Sequence, residues 1–209
     1  MANVYYKIDG DNCYYTNENK SGYTLRSPTN YISREKIVII ELYNDKFILP
    51  ENSSHLFQTC NNITFNDMNK WDTSEVINMD LMFYSCGSLT TLDLSSWDTS
   101  NVTSMNAMFY RCRSLIFLNI SNFNVSNVTS IDHIFYDCSK LEQILIKPNT
   151  NWEIEATKLT EPWGLFDGCT KLPNWDGAID ISRANNTTPT GYFGIAHPWT
   201  KYQVYIRRA

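Results

Sequence analysis

The chain has 209 residues, enough to bury a sizeable core in one domain or two. Its 43% hydrophobic and 14% aromatic content is that of a globular protein, not a disordered one. The net charge is −5, and residues 51–180 hold 7 basic against 16 acidic side chains, which argues against a nucleic-acid backbone as partner.

The N-terminal segment Met-Ala-Asn-Val-Tyr-Tyr-Lys has neither a basic n-region nor an apolar h-region, so no secretory signal is read. No run of ~18 apolar residues is present, so no membrane span is expected. Within residues 1–50, Val4 to Ile8, Cys13 to Tyr15 and Tyr23 to Leu25 read as short strands between Gly, Asn and Asp turns. Lys36 to Leu42 and Lys46 to Leu49 flank Tyr43-Asn44-Asp45 and read as a hairpin. This stretch is expected to be a small N-terminal β region or cap.

From Phe57 onward one phrase returns. Phe57-Gln58-Thr59-Cys60 is followed by Phe83-Tyr84-Ser85-Cys86, Phe109-Tyr110-Arg111-Cys112 and Phe135-Tyr136-Asp137-Cys138, each 26 residues after the last. Trp71, Trp97 and Phe123 keep the same step, as do Val76, Val102 and Val128, and Met79, Met105 and Ile131. A fixed period of this size predicts stacked units that bury their apolar faces against one another. Within one unit, Leu92 and Leu94 alternate with Thr91, Asp93 and Ser95 as a short strand does. Ser95 to Ser100 is turn chemistry. Met105, Met108 and Phe109 sit at i, i+3 and i+4, which predicts one or two helical turns. Units closed in one register predict parallel strands and a right-handed crossover.

The pattern Leu-x-x-Leu-Asp-Leu-Ser-Ser-Trp-Asp-Thr-Ser-Asn-Val-Thr-Ser-Met-x-x-Met-Phe-x-x-Cys-x-Ser-Leu, read from Leu89 to Leu115, resembles BspA-like leucine-rich-repeat proteins. The copy from Leu115 to Leu141 keeps it, with Phe123 for Trp and Ile131 and Ile134 for Met. The first copy is looser, since Ile63, Phe65 and Met68 do not align with the Leu columns. The resemblance covers roughly residues 55–175 and implies a leucine-rich-repeat-like solenoid that binds other macromolecules, often at a bacterial surface. The expected fold class is therefore an α+β repeat protein. It is a leucine-rich-repeat-like right-handed solenoid with parallel strands, of four to five coils over residues 51–180. Residues 1–50 form the N-terminal region and 181–209 the C-terminal capping strands. Phe166-Asp167-Gly168-Cys169 follows Cys138 by 31 residues, which places an insertion between them.

No catalytic set emerges. The cysteine column has none of the close pairing of a zinc knuckle, and reads as buried thiols, with consecutive disulfides as the alternative. His55, His133 and His197 are isolated from the cysteines, and the 8 glycines form no phosphate loop. Neither cofactor nor metal is expected, and the chain is read as non-enzymatic. Asn101 and Asn127 stand in Asn-x-Ser/Thr triplets generated by the repeat itself, and read as residues bonding the backbone of the neighbouring unit.

What remains is surface. The outward residues of successive strands are Phe65, Asp67 and Asn69, then Thr91, Asp93 and Ser95, then Phe117, Asn119 and Ser121, and last Gln143, Leu145 and Lys147. They are the expected partner-binding face, with Phe117 and Leu145 as its apolar anchors. The alternative is that the N-terminal region folds over them. The expected partners are other proteins, with a basic surface to match the acidic repeats, and self-association fits too. The expected role is that of a subunit of a larger assembly such as a phage virion, located in the virion or cytoplasm. The alternative is an adhesin-type protein reaching the cell surface by a non-classical route.

Overall fold

A computed structural model describes residues 3–9, 12–21, 24–25, 37–42, 44–60, 62–63, 67–146, 165–172 and 194–195. Eleven strands are described, all short: β1 Tyr5–Asp9, β2 Asn12–Thr16, β3 Thr24–Leu25, β4 Ile37–Glu41, β5 Phe47–Ile48, β6 Asn62–Ile63, β7 Trp71–Asp72, β8 Thr91–Asp93, β9 Phe117–Asn119, β10 Gln143–Ile146 and β11 Gly194–Ile195. They form a five-stranded sheet in the order β3-β1-β2-β4-β6, a four-stranded sheet β11-β10-β9-β8 and the pair β5-β7.

The α+β leucine-rich-repeat-like right-handed solenoid is not what forms. Among the described residues there is no α-helix, and the only helical piece is one 3-10 turn at Met68–Lys70. The strands do not make one continuous ladder but fall into three small, separate sheets. Two local causes are visible.

The first concerns the predicted helical turns. Leu81, Ala107 and His133 have φ of 55, 51 and 58°, and Ser85, Arg111 and Asp137 have φ of 57, 58 and 58°. A left-handed residue every fourth position ends a right-handed helix before it can propagate. The amides divide accordingly. Met82, Tyr84 and Cys86 donate to the carbonyls of Met79, Leu81 and Phe83, three residues back. Leu81, Phe83 and Ser85 instead donate to Asn106, Met108 and Tyr110 at 2.8, 2.9 and 2.7 Å. Bonds that a helix would keep internal thus run to the chain 25 residues further on. The same division recurs at Ala107, Phe109 and Arg111, whose amides reach Asp132, Ile134 and Tyr136.

The second cause lies in how the described strands divide. β6 pairs with β4, and β8 pairs with β9, and among the described residues β6 and β8 do not share a sheet. Between them Asp67 is left-handed, with φ 55°, and the 3-10 turn follows at once. The expected hairpin across Tyr43-Asn44-Asp45 is also absent: β4 lies in parallel between β2 and β6, whereas β5 pairs with β7.

Packing follows from the stacked turns. Phe57, Phe83, Phe109, Phe135 and Phe166 form one column, with successive ring centroids 5.6, 5.6, 5.7 and 5.3 Å apart. Trp71 and Trp97 stack beside them at 6.0 Å. Leu92, Leu94, Leu118, Ile120, Ile144 and Ile146, the inward alternation expected from the sequence, are all buried in the same core. Each aromatic contact contributes about 0.5–1.5 kcal/mol beyond its buried area. Turn polar groups are satisfied between neighbours: Asn101 Nδ2 donates to the Ser74 carbonyl at 2.8 Å, and Asn127 Nδ2 to that of Ser100 at 2.7 Å.

Candidate protein-binding face

The outward side of the β8–β10 sheet is built by register. Thr91 lies beside Phe117 and Phe117 beside Gln143; Asp93 lies beside Asn119 and Asn119 beside Leu145. Thr91 and Asp93 are exposed, while Phe117, Asn119 and Gln143 are half-buried. Leu145 corrects the expectation of an outward apolar anchor: it is 3% exposed, so that row ends in a covered side chain. It is buried outside the main core cluster, which shows that the outward side is itself covered at β10. Simple alternation cannot reveal this, because it distinguishes the two faces of a strand without saying which of them are covered.

Asp67 does not extend these rows. Asp67 is exposed in the left-handed segment before the 3-10 turn and pairs with Lys70 at 3.7 Å, and Phe65 lies outside the described residues. Among the described residues the side-chain nitrogen of Gln143 is buried with no hydrogen-bond partner.

A groove opens beside β8. It has a volume of about 380 Å³ and is lined by Met68 and Asn69 on one side and by Thr91, Leu92, Asp93, Ser95 and Ser96 on the other. Ser96 Oγ donates to the Met68 carbonyl at 3.2 Å and ties the two walls together. Asp93 is held in place because its Oδ1 accepts the Ser95 amide at 2.9 Å. Sequence reasoning placed Asn69, Thr91, Asp93 and Ser95 on the outward face but missed Met68 and Ser96. The only signal was the poor alignment of the first copy around Ile63, Phe65 and Met68.

A second polar surface lies on the turns. Tyr84, Tyr110 and Tyr136 stack with centroids 4.9 and 4.8 Å apart, and the Arg111 guanidinium lies 5.2 Å from the Tyr110 ring. Arg113 donates to Asp137 Oδ2 from Nε at 2.9 Å and from a terminal nitrogen at 2.6 Å; this bond raises the pKa of the Arg113 guanidinium. The ring faces are spent on one another and the neighbouring charges are paired.

The cysteines are structural. All six are buried thiols outside any disulfide. Cys86, Cys112, Cys138 and Cys169 each donate the thiol to a phenylalanine carbonyl in the preceding turn, at 3.0, 3.1, 3.0 and 2.9 Å. Burial pushes the Cys112 thiol up to about 12 and raises those of Cys86 and Cys138. A protonated, enclosed thiol is neither nucleophile nor metal ligand. Among the described residues no group of three or more His, Cys, Asp or Glu side chains is placed to hold a metal ion. No helix among them is long and apolar enough to cross a membrane.

No curated protein and no solved structure matches the chain. A family model does, over residues 51–176, which is more than half of the chain. That span takes in the stacked turns, the groove and β8 to β10, and the chain belongs to the family described as "Mycoplasma protein of unknown function, DUF285".

Proposed function

We propose that this chain is a non-enzymatic protein-binding module that docks another protein at the groove between Met68–Asn69 and β8, and along the adjoining outward face. The observation that carries the reading is the groove itself. Its walls combine apolar Met68 and Leu92 with exposed Thr91 and Asp93, which is the mixture of apolar floor and polar rim that a recognition site requires. The excess of acidic side chains over residues 51–180 favours a partner with a basic surface, which it would attract more strongly at low salt.

The test is site-specific photo-crosslinking in the native host. A photo-reactive residue replaces Asn69, which is exposed at the groove, or Lys140, which is exposed on a turn. The expected result is a discrete protein adduct from position 69 and none from position 140. Equal adducts from both, or none from either, would overturn the reading. A virion subunit and a surface adhesin would use the same groove with different partners, so the identity of the adduct decides between them.

A further inference from the structure

We propose that Tyr84, Tyr110 and Tyr136 form an oxidative cross-linking site, at which hydrogen peroxide and a haem peroxidase join neighbouring turns through a dityrosine bond. The repeat sets the geometry. The Ser85 amide donates to the Tyr110 carbonyl and the Arg111 amide to the Tyr136 carbonyl, each at 2.7 Å. These bonds fix the spacing of the turns at the tyrosines themselves, and the rings follow it. Their planes lie 6 and 7° from parallel, with centroids 4.9 and 4.8 Å apart. Neighbouring groups hold them in line. The Arg111 guanidinium lies 5.2 Å from the Tyr110 ring, and the His133 ring lies 6.2 and 5.5 Å from those of Tyr110 and Tyr136. Arg113 and Arg111 both reach Asp137, at 2.6 and 3.7 Å, which ties the turn of Tyr110 to that of Tyr136. The phenylalanine column keeps nearly the same spacing, but Phe83, Phe109 and Phe135 are fully buried and carry no oxidisable hydroxyl. The three tyrosines are half-buried, so part of each reaches solvent, where a small oxidant meets it.

The chemistry is a coupling of two phenols. Hydrogen peroxide, acting through the peroxidase, takes one hydrogen atom from each of two phenol O–H groups and is reduced to two waters. The two phenoxyl radicals join through their ortho carbons in a new C–C bond. The hydrogens on those carbons pass to the oxygens and restore both phenols, so the chain loses two hydrogen atoms in all. Rotation about the Cβ–Cγ bonds brings an ortho carbon of one ring toward that of the next. Phenols held side by side replace a bimolecular encounter with an intramolecular one, which favours coupling within the ladder over coupling between free tyrosines. Tyr110 stands between Tyr84 and Tyr136, so every bond the ladder forms includes Tyr110. The product closes one repeat covalently and restricts the unfolded chain as a disulfide does.

The test treats the dilute full chain with a haem peroxidase and hydrogen peroxide. Dityrosine fluorescence is read in the monomer fraction, and the bond is mapped by mass spectrometry after proteolysis, because the chain has 13 tyrosines. The expected result is a monomer lighter by two hydrogens, with Tyr110 joined to Tyr84 or to Tyr136. Tyr110→Phe, which keeps the stacked ring and removes the hydroxyl, should abolish both bonds. Tyr84→Phe and Tyr136→Phe should each leave the other bond, and the two together should match Tyr110→Phe. The same treatment in urea should lower the yield of these bonds about tenfold or more, since the ladder no longer holds the rings together. The cross-linked monomer should melt about 5 °C or more above the untreated one. Bonds mapped chiefly to other tyrosines, a yield unchanged by Tyr110→Phe or by urea, or products found only between chains would overturn the proposal. A cross-linked monomer that melts no higher than the untreated chain would overturn the joining of turns.

Discussion

Cys112 donates its thiol hydrogen to the backbone carbonyl of Phe83, 3.1 Å away and 29 residues earlier in the chain. The same carbonyl accepts the Cys86 amide at 3.1 Å, so both of its lone pairs are used. The cysteine column therefore does more than fill space: a small side chain with one weak donor links each turn to the one before. Replacing Cys112 with Ala removes a fully buried sulfur and that bond together. The expected cost is about 1–3 kcal/mol in urea unfolding. A cost within about 0.5 kcal/mol, typical of a surface change, would show that the thiol bond contributes nothing.

The same thiols set an alkaline limit. An unfolded cysteine titrates near about 8.5, whereas the folded Cys112 stays protonated up to about 12 because it is buried. Above the unfolded value the native state holds the extra proton, so stability is full below about pH 8.5 and falls as pH rises. Cys86 and Cys138 are shifted in the same direction, burial being the first cause in both. Cys112→Ala should lose about 1 kcal/mol less than the parent protein between pH 9 and pH 10. Parallel pH profiles for the two proteins would sink this account.

Thr99 explains the Asp-Thr-Ser phrase of the turn. It is fully buried, donates Oγ to the Asn124 carbonyl at 3.1 Å, and accepts the Asn124 amide at 2.7 Å. Thr73 makes the same reciprocal pair with Asp98, at 2.9 Å in each direction. Valine has nearly the shape of threonine but neither donor nor acceptor. Thr99→Val should thus leave two backbone groups unpaired, at a cost of about 2–4 kcal/mol measured by denaturant unfolding. A loss below about 1 kcal/mol would mean that water replaces the hydroxyl.

These columns were legible in the sequence because each side chain meets its own counterpart one step along. Phe83 stacks on Phe109, and Leu92 lies beside Leu118. The helical reading of Met105, Met108 and Phe109 failed for a physical reason. The i, i+3, i+4 spacing describes one face of a helix, but a succession of tight turns produces it as well. What separates them is the sign of φ at Ala107 and Arg111, and neither residue type announces a left-handed backbone. Leu145 was misplaced because the outward side of β10 is covered, and strand alternation carries no information about that.

The left-handed positions provide the sharpest test of the turn architecture. Ala107 has φ 51°, a conformation that costs an L-residue roughly 1–2 kcal/mol. Glycine removes that strain but adds about 0.5–1 kcal/mol of unfolded-chain entropy to be lost on folding. Ala107→Gly should therefore stabilise the protein by up to about 1 kcal/mol, and Ala107→Val should destabilise it by about 1–3 kcal/mol because of the branched Cβ. At Gly168 the sign reverses. Its φ is +77°, and an added Cβ would lie 3.0 Å from the Asp137 Cα, a backbone atom that cannot swing aside. Gly168→Ala is expected to lower the melting temperature while Ala107→Gly raises it, both read by thermal unfolding. If Ala107→Gly behaved as glycine does inside a helix, losing about 1 kcal/mol, the segment from Met105 to Cys112 would be right-handed throughout. The turn-to-turn hydrogen bonds from Ala107, Phe109 and Arg111 would then have to be abandoned.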